Sequence, residues 1–262
     1  KVTKDIPTCT EQLSAERYCG GEQKISTLMN IYFDNNILID HEQKKCLLPI
    51  GQEYSYFYSY VHLQELMESP RYNELIGDRI TAIIDLTDCK CCENDDNWSV
   101  IFENMDPRKY LIVLQQNPFS KFLQQRIREA YMHWFDGKDP DTIMKYYGIE
   151  KSRINNYTPE ELMNEYRGFI EYYVANTDDG NVMSAFQSFF NVMDMLGFWQ
   201  DKRTARSNLA RSYDANHAYF ASACDYFVTN DQRTRNKANV LYYYFGIKTK
   251  AVSFDEFLKL VK

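Results

Sequence analysis

Four acidic side chains lie beside apolar segments that are far apart in this chain. Asp34 directly follows the apolar run 31–33 and Asp231 follows another, while Glu65 and Asp214 lie in segments of helical pattern. A carboxylate at the end of a buried segment costs free energy unless a partner or a bound ion offsets its charge. Because hard cations such as Mg²⁺ and Mn²⁺ prefer carboxylate oxygens, these residue types indicate chemistry based on a divalent metal.

The end of the chain, after residue 213, alternates between helical and strand patterns. Short links between such elements favour a parallel sheet with right-handed crossovers. In an open parallel sheet the carboxyl ends of the strands form the crevice, so Asp34 and Asp231 are expected to meet there. The predicted elements are a helix over 214–223, a strand over 226–229, a helix over 232–245 that Gly246 ends, a strand over 247–252 and a helix from near Ser253.

The rest of the chain begins with weak periodicity over 1–28, followed by a short buried strand that ends at Asp34. Alternating aromatic and small residues predict a half-buried strand over 54–60, which runs into a helix that carries Glu65. Periodicity does not decide between strand and helix for 80–88. From about residue 100 to 211 the pattern is helical, with helices predicted over 121–135, 159–174 and 181–198.

The segments around the acids resemble those of PIN-domain ribonucleases, the α/β/α family that includes the VapC-type toxins. Asp34 with Asn36 matches a D-x-N pattern after the first strand, and Glu65 matches a Glu in the helix after the second strand. Asp214 begins a match to the first five positions of D-A-x-H-A-A, and Asp231 ends a match to V-T-x-D. The matches cover under half of the chain, and the stretch between Glu65 and Asp214 is much longer than in small PIN toxins.

From this resemblance we expect a three-layer α/β/α fold with a mostly parallel sheet. The PIN-like domain would extend over 29–262, preceded by an N-terminal extension over 1–28 and interrupted by a helical insertion at about 100–211. In the family an acid opens a helix at the position of Asp214, so a helix start is expected there.

The activity that the resemblance implies is that of a Mg²⁺- or Mn²⁺-dependent endoribonuclease, which hydrolyses phosphodiester bonds of RNA. Such ions activate a water for in-line attack on phosphorus and stabilise the leaving oxygen. Asp34, Asp214 and Asp231 are the expected principal ligands, and Glu65 is expected to bind directly or through water. Three polar neighbours are expected to orient the acids or the phosphate, namely Asn36, Thr229 and Asn230.

Basic residues near two of the acids are candidates for contacts with RNA, because arginine forks bind phosphate oxygens bidentately. Arg206 and Arg211 precede Asp214, and Arg233 follows Asp231. A solvated, charged helix face is the alternative interpretation for each of these arginines.

Several alternatives stay open beside the nuclease interpretation. One is a non-catalytic PIN-like scaffold whose insertion recruits RNA or a protein. A phosphatase of the haloacid dehalogenase type also uses an acid after the first strand, but it needs a second Asp where Asn36 stands. Zinc binding by Cys89, Cys91 and Cys92 lacks a nearby fourth ligand, which favours reduced structural thiols. His217 is expected to be a packed or hydrogen-bonded histidine rather than a catalytic base.

Composition limits the function classes. The net charge of −7 argues against nonspecific coating of nucleic acid, although it leaves room for a local basic groove. No apolar run approaches the roughly 18 residues that span a bilayer, and the first thirty residues lack the apolar core of a signal peptide. We therefore expect a cytoplasmic protein without membrane contact. Its expected partners are an RNA substrate, further copies of the chain and, for a toxin, a protein inhibitor (antitoxin).

Overall fold

The computed structural model describes residues 28–49, 51, 53–117, 125, 140–150, 155–175, 181–202 and 204–261. Its strands are β1 (Met29–Phe33), β2 (Tyr54–Phe57), β3 (Lys90–Asn94), β4 (Val100–Asn104), β5 (Tyr226–Val228) and β6 (Lys250–Val252). Four of them form a parallel sheet in the order β2–β1–β5–β6, and β3 pairs with β4. Because β1 pairs with a strand on each side, the residue after it emerges at the carboxyl end of a central strand.

Ten α-helices occur in the described residues. They are α1 (Asn35–Glu42), α2 (Tyr60–Met67), α3 (Tyr72–Thr87), α4 (Pro107–Gln116), α5 (Pro140–Tyr146), α6 (Pro159–Ala175), α7 (Val182–Met195), α8 (Ala205–Ala221), α9 (Gln232–Phe245) and α10 (Phe254–Leu260). As predicted, Gly246 ends α9, in a left-handed conformation with φ of 67° that suits glycine, and Ser253 caps α10. None of the helices in the described ranges combines the length and the apolar character that a membrane span requires.

Hydrophobic clusters cover both faces of the sheet because alternate side chains of β1 point in opposite directions. Ile31 and Phe33 join one buried cluster with residues of α1, α3 and α10. Tyr32 joins the other cluster, to which α6, α7, α8 and α9 contribute. The predicted α/β class with a mostly parallel sheet is therefore confirmed, and the arrangement is compatible with three α/β/α layers.

The hairpin of β3 and β4 adjoins β2, where Tyr58 forms a parallel bridge with Cys91. Phe57 packs against Phe102 of β4, with ring centroids 4.3 Å apart. The segment that the sequence predicted as the start of a helical insertion is therefore a strand, because tertiary pairing outweighs a weak local pattern. Cys91 and Cys92 are buried free thiols whose pKa is raised by burial, consistent with the expected structural role.

The two helices predicted over 159–174 and 181–198 are confirmed as α6 and α7. Asn181 caps α7, and its side chain accepts a hydrogen bond from the N–H group two residues later. The helix predicted over 121–135 and the extension over 1–28 lie outside the described residues, apart from single positions.

Two predicted strands are shorter in the structure, and one undecided segment is resolved. The strand predicted over 54–60 ends at position 57 because Ser59 caps α2. Of the strand predicted over 247–252, only the last three residues pair with β5. The segment 80–88 belongs to α3, apart from Asp88, which ends the helix in a left-handed conformation with φ of 51°.

Helix α8 begins earlier than the sequence predicted, which corrects the expected place of Asp214. Thr204 caps the helix by accepting the N–H of Ser207, and α8 starts at Ala205. Asp214 therefore lies inside a helix and does not open one. The first two turns of α8 are mostly polar, so they lack the apolar periodicity by which a helix is recognised in a sequence.

Asn239 of α9 stabilises the edge strand β6, because its side chain donates to the carbonyl of Ala251 at 2.9 Å and accepts its N–H at 3.0 Å. In Asn239→Ala both backbone groups lose their partner. We expect the free energy of unfolding, measured by urea denaturation, to fall by about 1–3 kcal/mol.

The matched control is Asn236→Ala, three residues earlier on the same helix. Within the described part of the chain the amide of Asn236 has no hydrogen-bond partner, so the change should stay within about 0.5 kcal/mol. Equal losses in the two variants would show that the amide of Asn239 does not stabilise β6.

Candidate metal centre

Asp34 is held by three hydrogen bonds and is only 5 % exposed. As the N-cap of α1, its Oδ1 accepts the N–H of Asn35 at 2.6 Å. Oδ2 accepts the hydroxyl of Thr229 at 2.6 Å and also the side-chain amide of Asn36. Because Asn36 follows β1 and Thr229 follows β5, groups from two adjacent strand ends fix this carboxylate.

Glu65 of α2 lies beside Asp34. Its Oε2 accepts the side-chain amide of Asn35 at 2.6 Å. Nε2 of His217 lies 3.3 Å from the same oxygen and 3.9 Å from Oδ1 of Asp34. The fold therefore brings together two of the predicted acids and a histidine, from three segments that are remote in sequence.

Both ring nitrogens of the fully buried His217 have partners. Nδ1 lies 2.8 Å from the hydroxyl of Tyr32, which is in turn 2.6 Å from Oγ of Ser59. His62 packs against the same group, with Nε2 2.8 Å from the carbonyl of Phe33. Because a carbonyl only accepts, we assign the proton of His62 to Nε2. Burial, followed by the effect of His217, lowers the pKa of His62 to about 3, so this ring is neutral.

His217 and Glu65 stabilise each other's charged forms. Burial alone would lower the pKa of His217, but the hydrogen bond and charge of Glu65, with a contribution from Asp34, raise it. Burial alone would raise the pKa of Glu65, but His217 and Asn35 bring it below its ordinary value. Nε2 of His217 lies within 4.8 Å of oxygens from both acids, a spacing that a metal site requires. In the structure Nε2 of His217 lies 3.3 Å from Oε2 of Glu65, and it becomes a metal ligand only when it is deprotonated.

Of the four predicted acids, only Asp214 accepts no hydrogen bond from the described part of the chain. It is half-buried and lies about one turn before His217 on α8. Burial raises its pKa well above the ordinary value, and the charges of Asp34, Asp231 and Glu65 raise it further. A bound cation would stabilise this arrangement, because it offsets like charges that no donor neutralises.

Asp231 lies at the exposed rim of the site, where it caps α9. Its Oδ1 accepts the N–H groups of Arg233 and Thr234 at 2.7 and 3.1 Å. Among the described residues Oδ2 has no hydrogen-bond donor. The charge of Asp231 contributes to the raised pKa of Asp214, so the two carboxylates interact electrostatically.

Among the described residues, only Asp34, Glu65 and His217 have ligand atoms that lie within 4.8 Å of one another. Several carboxylate oxygens of the four predicted acids lack donors and are of the type that a hard cation prefers. They are Oε1 of Glu65, both oxygens of Asp214 and Oδ2 of Asp231, considered within the described residues. Oδ1 of Asp34 accepts a single N–H and retains a lone pair. Since Mg²⁺ and Mn²⁺ prefer oxygen ligands and retain several waters, these residues fit the metals that the sequence predicted.

Arg211 lies in the interior, so its predicted contact with RNA phosphates is wrong. The side chain is 1 % exposed, and Nε donates to Asp194 of α7 at 2.7 Å. Lys237 of α9 donates to the other oxygen of Asp194 at 2.5 Å and to Asp201 at 3.0 Å. A buried guanidinium needs a buried anion to compensate its charge. Asp194 is that anion, and its two ion pairs also connect α7 with α8 and α9.

The remaining predicted substrate residues divide into two groups. Asn36 and Thr229 contact Asp34, and the N–H of Asn230 donates to the side chain of Asn36 at 3.3 Å. These three residues therefore position the acid. Arg206 and Arg233 are exposed, as contact with a phosphate would require.

Several polar residues that support the acids were missed by sequence reasoning. His62 carries a usable signal, because it lies three residues before Glu65 and shares a helix face with it. Asn35 lies between two residues that were singled out, and it also accepts Nη1 of Arg79 at 3.3 Å. Tyr32 gives no local signal, because it lies inside an apolar run.

Neither a family model, nor a curated protein, nor a solved structure matches this chain. The interpretation of the site therefore depends on its own geometry. Its main features are the oxygens without donors, the pair of Glu65 with His217, and the buried network around Asp194.

Replacing Asp194→Asn removes the negative charge that compensates Arg211 and Lys237 in the interior. We expect the free energy of unfolding, measured in urea, to fall by about 3–5 kcal/mol. The control is Asp85→Asn, which changes an exposed acid on α3 and should cost less than about 0.5 kcal/mol. Similar losses in both variants would contradict the compensating role of Asp194.

Replacing Asp214→Asn tests whether its carboxylate carries uncompensated charge. The folded-state pKa is raised above the unfolded value of about 3.9. Protonation therefore contributes stability that is complete below the unfolded pKa and is lost as the pH rises through the folded pKa. In EDTA at neutral pH the variant should be more stable than the unaltered protein, and the difference should disappear in acid.

Unfolding in urea at several pH values measures this effect, with Asp85→Asn as the control for loss of an acid. Adding Mn²⁺ should then stabilise the unaltered protein more than Asp214→Asn, since only the former keeps the full ligand set. A variant that is less stable than the unaltered protein in EDTA at neutral pH would contradict the prediction.

Proposed function

We propose that this protein is a Mg²⁺- or Mn²⁺-dependent endoribonuclease with a PIN-like fold. The observation that carries the proposal is Asp214, a half-buried carboxylate without a donor in the described residues, next to three further acids. Such a group is stable in its charged form when a cation is bound beside it. The acids that raise its pKa are Asp34, Asp231 and Glu65.

The PIN-like assignment is supported by the position of the acids in the sheet. Asp34 directly follows β1, and Asp231 lies three residues after the end of β5. The two strands are neighbours in the parallel sheet. Ligands of open parallel sheets bind at the carboxyl ends of the strands. The selection of RNA as the substrate rests on the resemblance of the motifs around the acids.

A divalent ion at these oxygens would supply a Lewis acid that activates a water and stabilises the leaving oxygen of a phosphodiester. The residues of the chain hold the carboxylate oxygens in fixed positions. Thr229 and Asn36 hold one oxygen of Asp34. Asn35 and His217 both contact Oε2 of Glu65, which leaves Oε1 without a donor in the described residues.

Exposed cations on α8 and α9 are suited to hold the substrate. Arg233 is 52 % exposed and follows Asp231 by two residues. Arg206 lies in the first turn of α8, eight residues before Asp214, which corresponds to about 12 Å along the helix. Guanidinium groups at these positions would bind phosphates that flank the cleaved bond.

The geometry at Asn36 disfavours a phosphatase of the haloacid dehalogenase type. That chemistry needs an acid at this position. Here the side-chain amide of Asn36 donates to Asp34 and to Oγ1 of Thr229, and it has no acidic proton to transfer.

Cleavage of single-stranded RNA in the presence of Mn²⁺ or Mg²⁺ tests the proposal. Asp34→Asn and Glu65→Gln should each reduce the cleavage rate by roughly a hundredfold or more, since loss even of residues that support metal ligands costs about 10–100-fold. EDTA should abolish cleavage, and added Mn²⁺ should restore it in the unaltered protein.

Asp85→Asn serves again as the control, because it removes an exposed acid on α3 and should leave the rate unchanged. Circular dichroism should show that every variant is folded. Complete inactivity of the unaltered protein on several RNAs with both metals would refute the proposal. Full activity of Asp34→Asn would remove that residue from the mechanism.

A further inference from the structure

An open groove of about 580 Å³ lies beside α9. One wall is a single face of this helix, with Gln232, Asn236 and Tyr243 spaced at helical intervals. The opposite wall includes residues of the segment 155–159, before α6, and Trp199, after α7. The groove therefore lies between α9 and the segments that precede α6 and follow α7.

Some polar side chains of this groove have no hydrogen-bond partner within the described residues. Trp199 is 6 % exposed, and its buried indole N–H has no partner. Its backbone adopts φ of 49°, which a residue other than glycine rarely occupies and which often marks a functional position. The amides of Gln232 and Asn236 also have no hydrogen-bond partner in the described part of the chain. A buried polar group without a partner is rare in native proteins. The amides of Gln232 and Asn236 are not buried, so a hydrogen-bonding ligand in the groove can reach them.

The charge of the groove indicates an anionic ligand. Lys248 and Lys250 contribute to its lining, and no acidic residue is among the described residues that line it. The chain as a whole has a net charge of −7, so this local excess of positive charge contrasts with the protein as a whole. A lysine-bearing groove in an acidic protein favours binding of a polyanion at that place.

Helix α9 extends from the candidate metal centre along the groove. Asp231 caps this helix, and Gln232, its first residue, already lines the groove. From Gln232 to Tyr243 the helix rises by about 16 Å. This length corresponds to roughly five stacked nucleotides at about 3.4 Å each.

We propose that this groove binds the single-stranded RNA that extends from the cleaved phosphodiester. Lys248 and Lys250 bind phosphates, the amide of Asn236 hydrogen-bonds to a base, and the exposed ring of Tyr243 stacks on a base. This assignment rests on the proposed function, because it takes the acids as the place of cleavage.

The first test compares the unaltered protein with the double variant Lys248→Gln/Lys250→Gln. Binding of a fluorescein-labelled single-stranded RNA of about ten nucleotides is measured by anisotropy in EDTA, so that no cleavage occurs. The dissociation constant should rise by roughly fivefold to tenfold in the double variant. The slope of log Kd against log salt should fall by about 1.4, because each contact of a single strand contributes about 0.7.

The matched control is Lys109→Gln/Lys259→Gln, which removes two exposed lysines of α4 and α10 that do not line the groove. It changes the net charge by the same amount and should leave the affinity and the salt slope nearly unchanged. A second groove variant, Asn236→Leu, places an apolar side chain on the middle of the α9 wall. It should weaken RNA binding without loss of stability, because Asn236 has no hydrogen-bond partner in the described chain.

Cleavage with Mn²⁺ separates the groove from the metal centre. The groove variants should raise KM for the long RNA while the cleavage rate of a dinucleotide, which is too short to fill the groove, stays unchanged. Binding that depends on the groove residues without any cleavage would support the groove and refute the nuclease. Intact cleavage with unchanged Kd and KM in both groove variants would overturn the groove and leave the nuclease. Failure of the unaltered protein to bind or cleave any RNA would overturn both.

Discussion

Repulsion between carboxylates at the carboxyl ends of β1 and β5 is the constraint on which the site depends. The negative charge of each acid is stabilised in a different way. Asp34 is surrounded by donors, Glu65 is paired with His217, and Asp231 is exposed at a helix N-terminus, whose dipole favours negative charge. Asp214 has none of these supports from the described residues, so the uncompensated charge of the pocket is concentrated on it. This imbalance is the main support for the proposed metal-binding function.

The long helical segment between β4 and α8 contributes to the site from the interior. Asp194 of α7 lies between Arg211 of α8 and Lys237 of α9, and all three are almost fully buried. These two helices carry Asp214 and, at the start of α9, its capping acid Asp231. The buried ion network therefore fixes the helices that present the acids, and removal of any one charge leaves the others without compensation.

The same segment forms the outer wall of the groove along α9. This helix consequently has two roles, since its N-terminus carries the exposed acid of the pocket and one of its faces lines the groove. A rigid helix keeps a fixed distance between the acids and the groove, which are the proposed places of cleavage and strand binding. In the proposed function, this connection would let a protein of net negative charge hold a polyanion beside a cluster of acids.

The sequence by itself determined the α/β class, helices α6, α7 and α9, and the positions of Asp34 and Asp231 after strands, because these features follow from apolar periodicity and capping residues. It did not determine the start of α8, whose first turns are polar and carry no periodic signal. Only the tertiary structure decided that Arg211 is buried against Asp194 and that His217 supports Glu65. The physical reason is that a charged side chain looks the same in a sequence whether water or a remote counter-charge neutralises it, and the fold alone brings the counter-charge into contact.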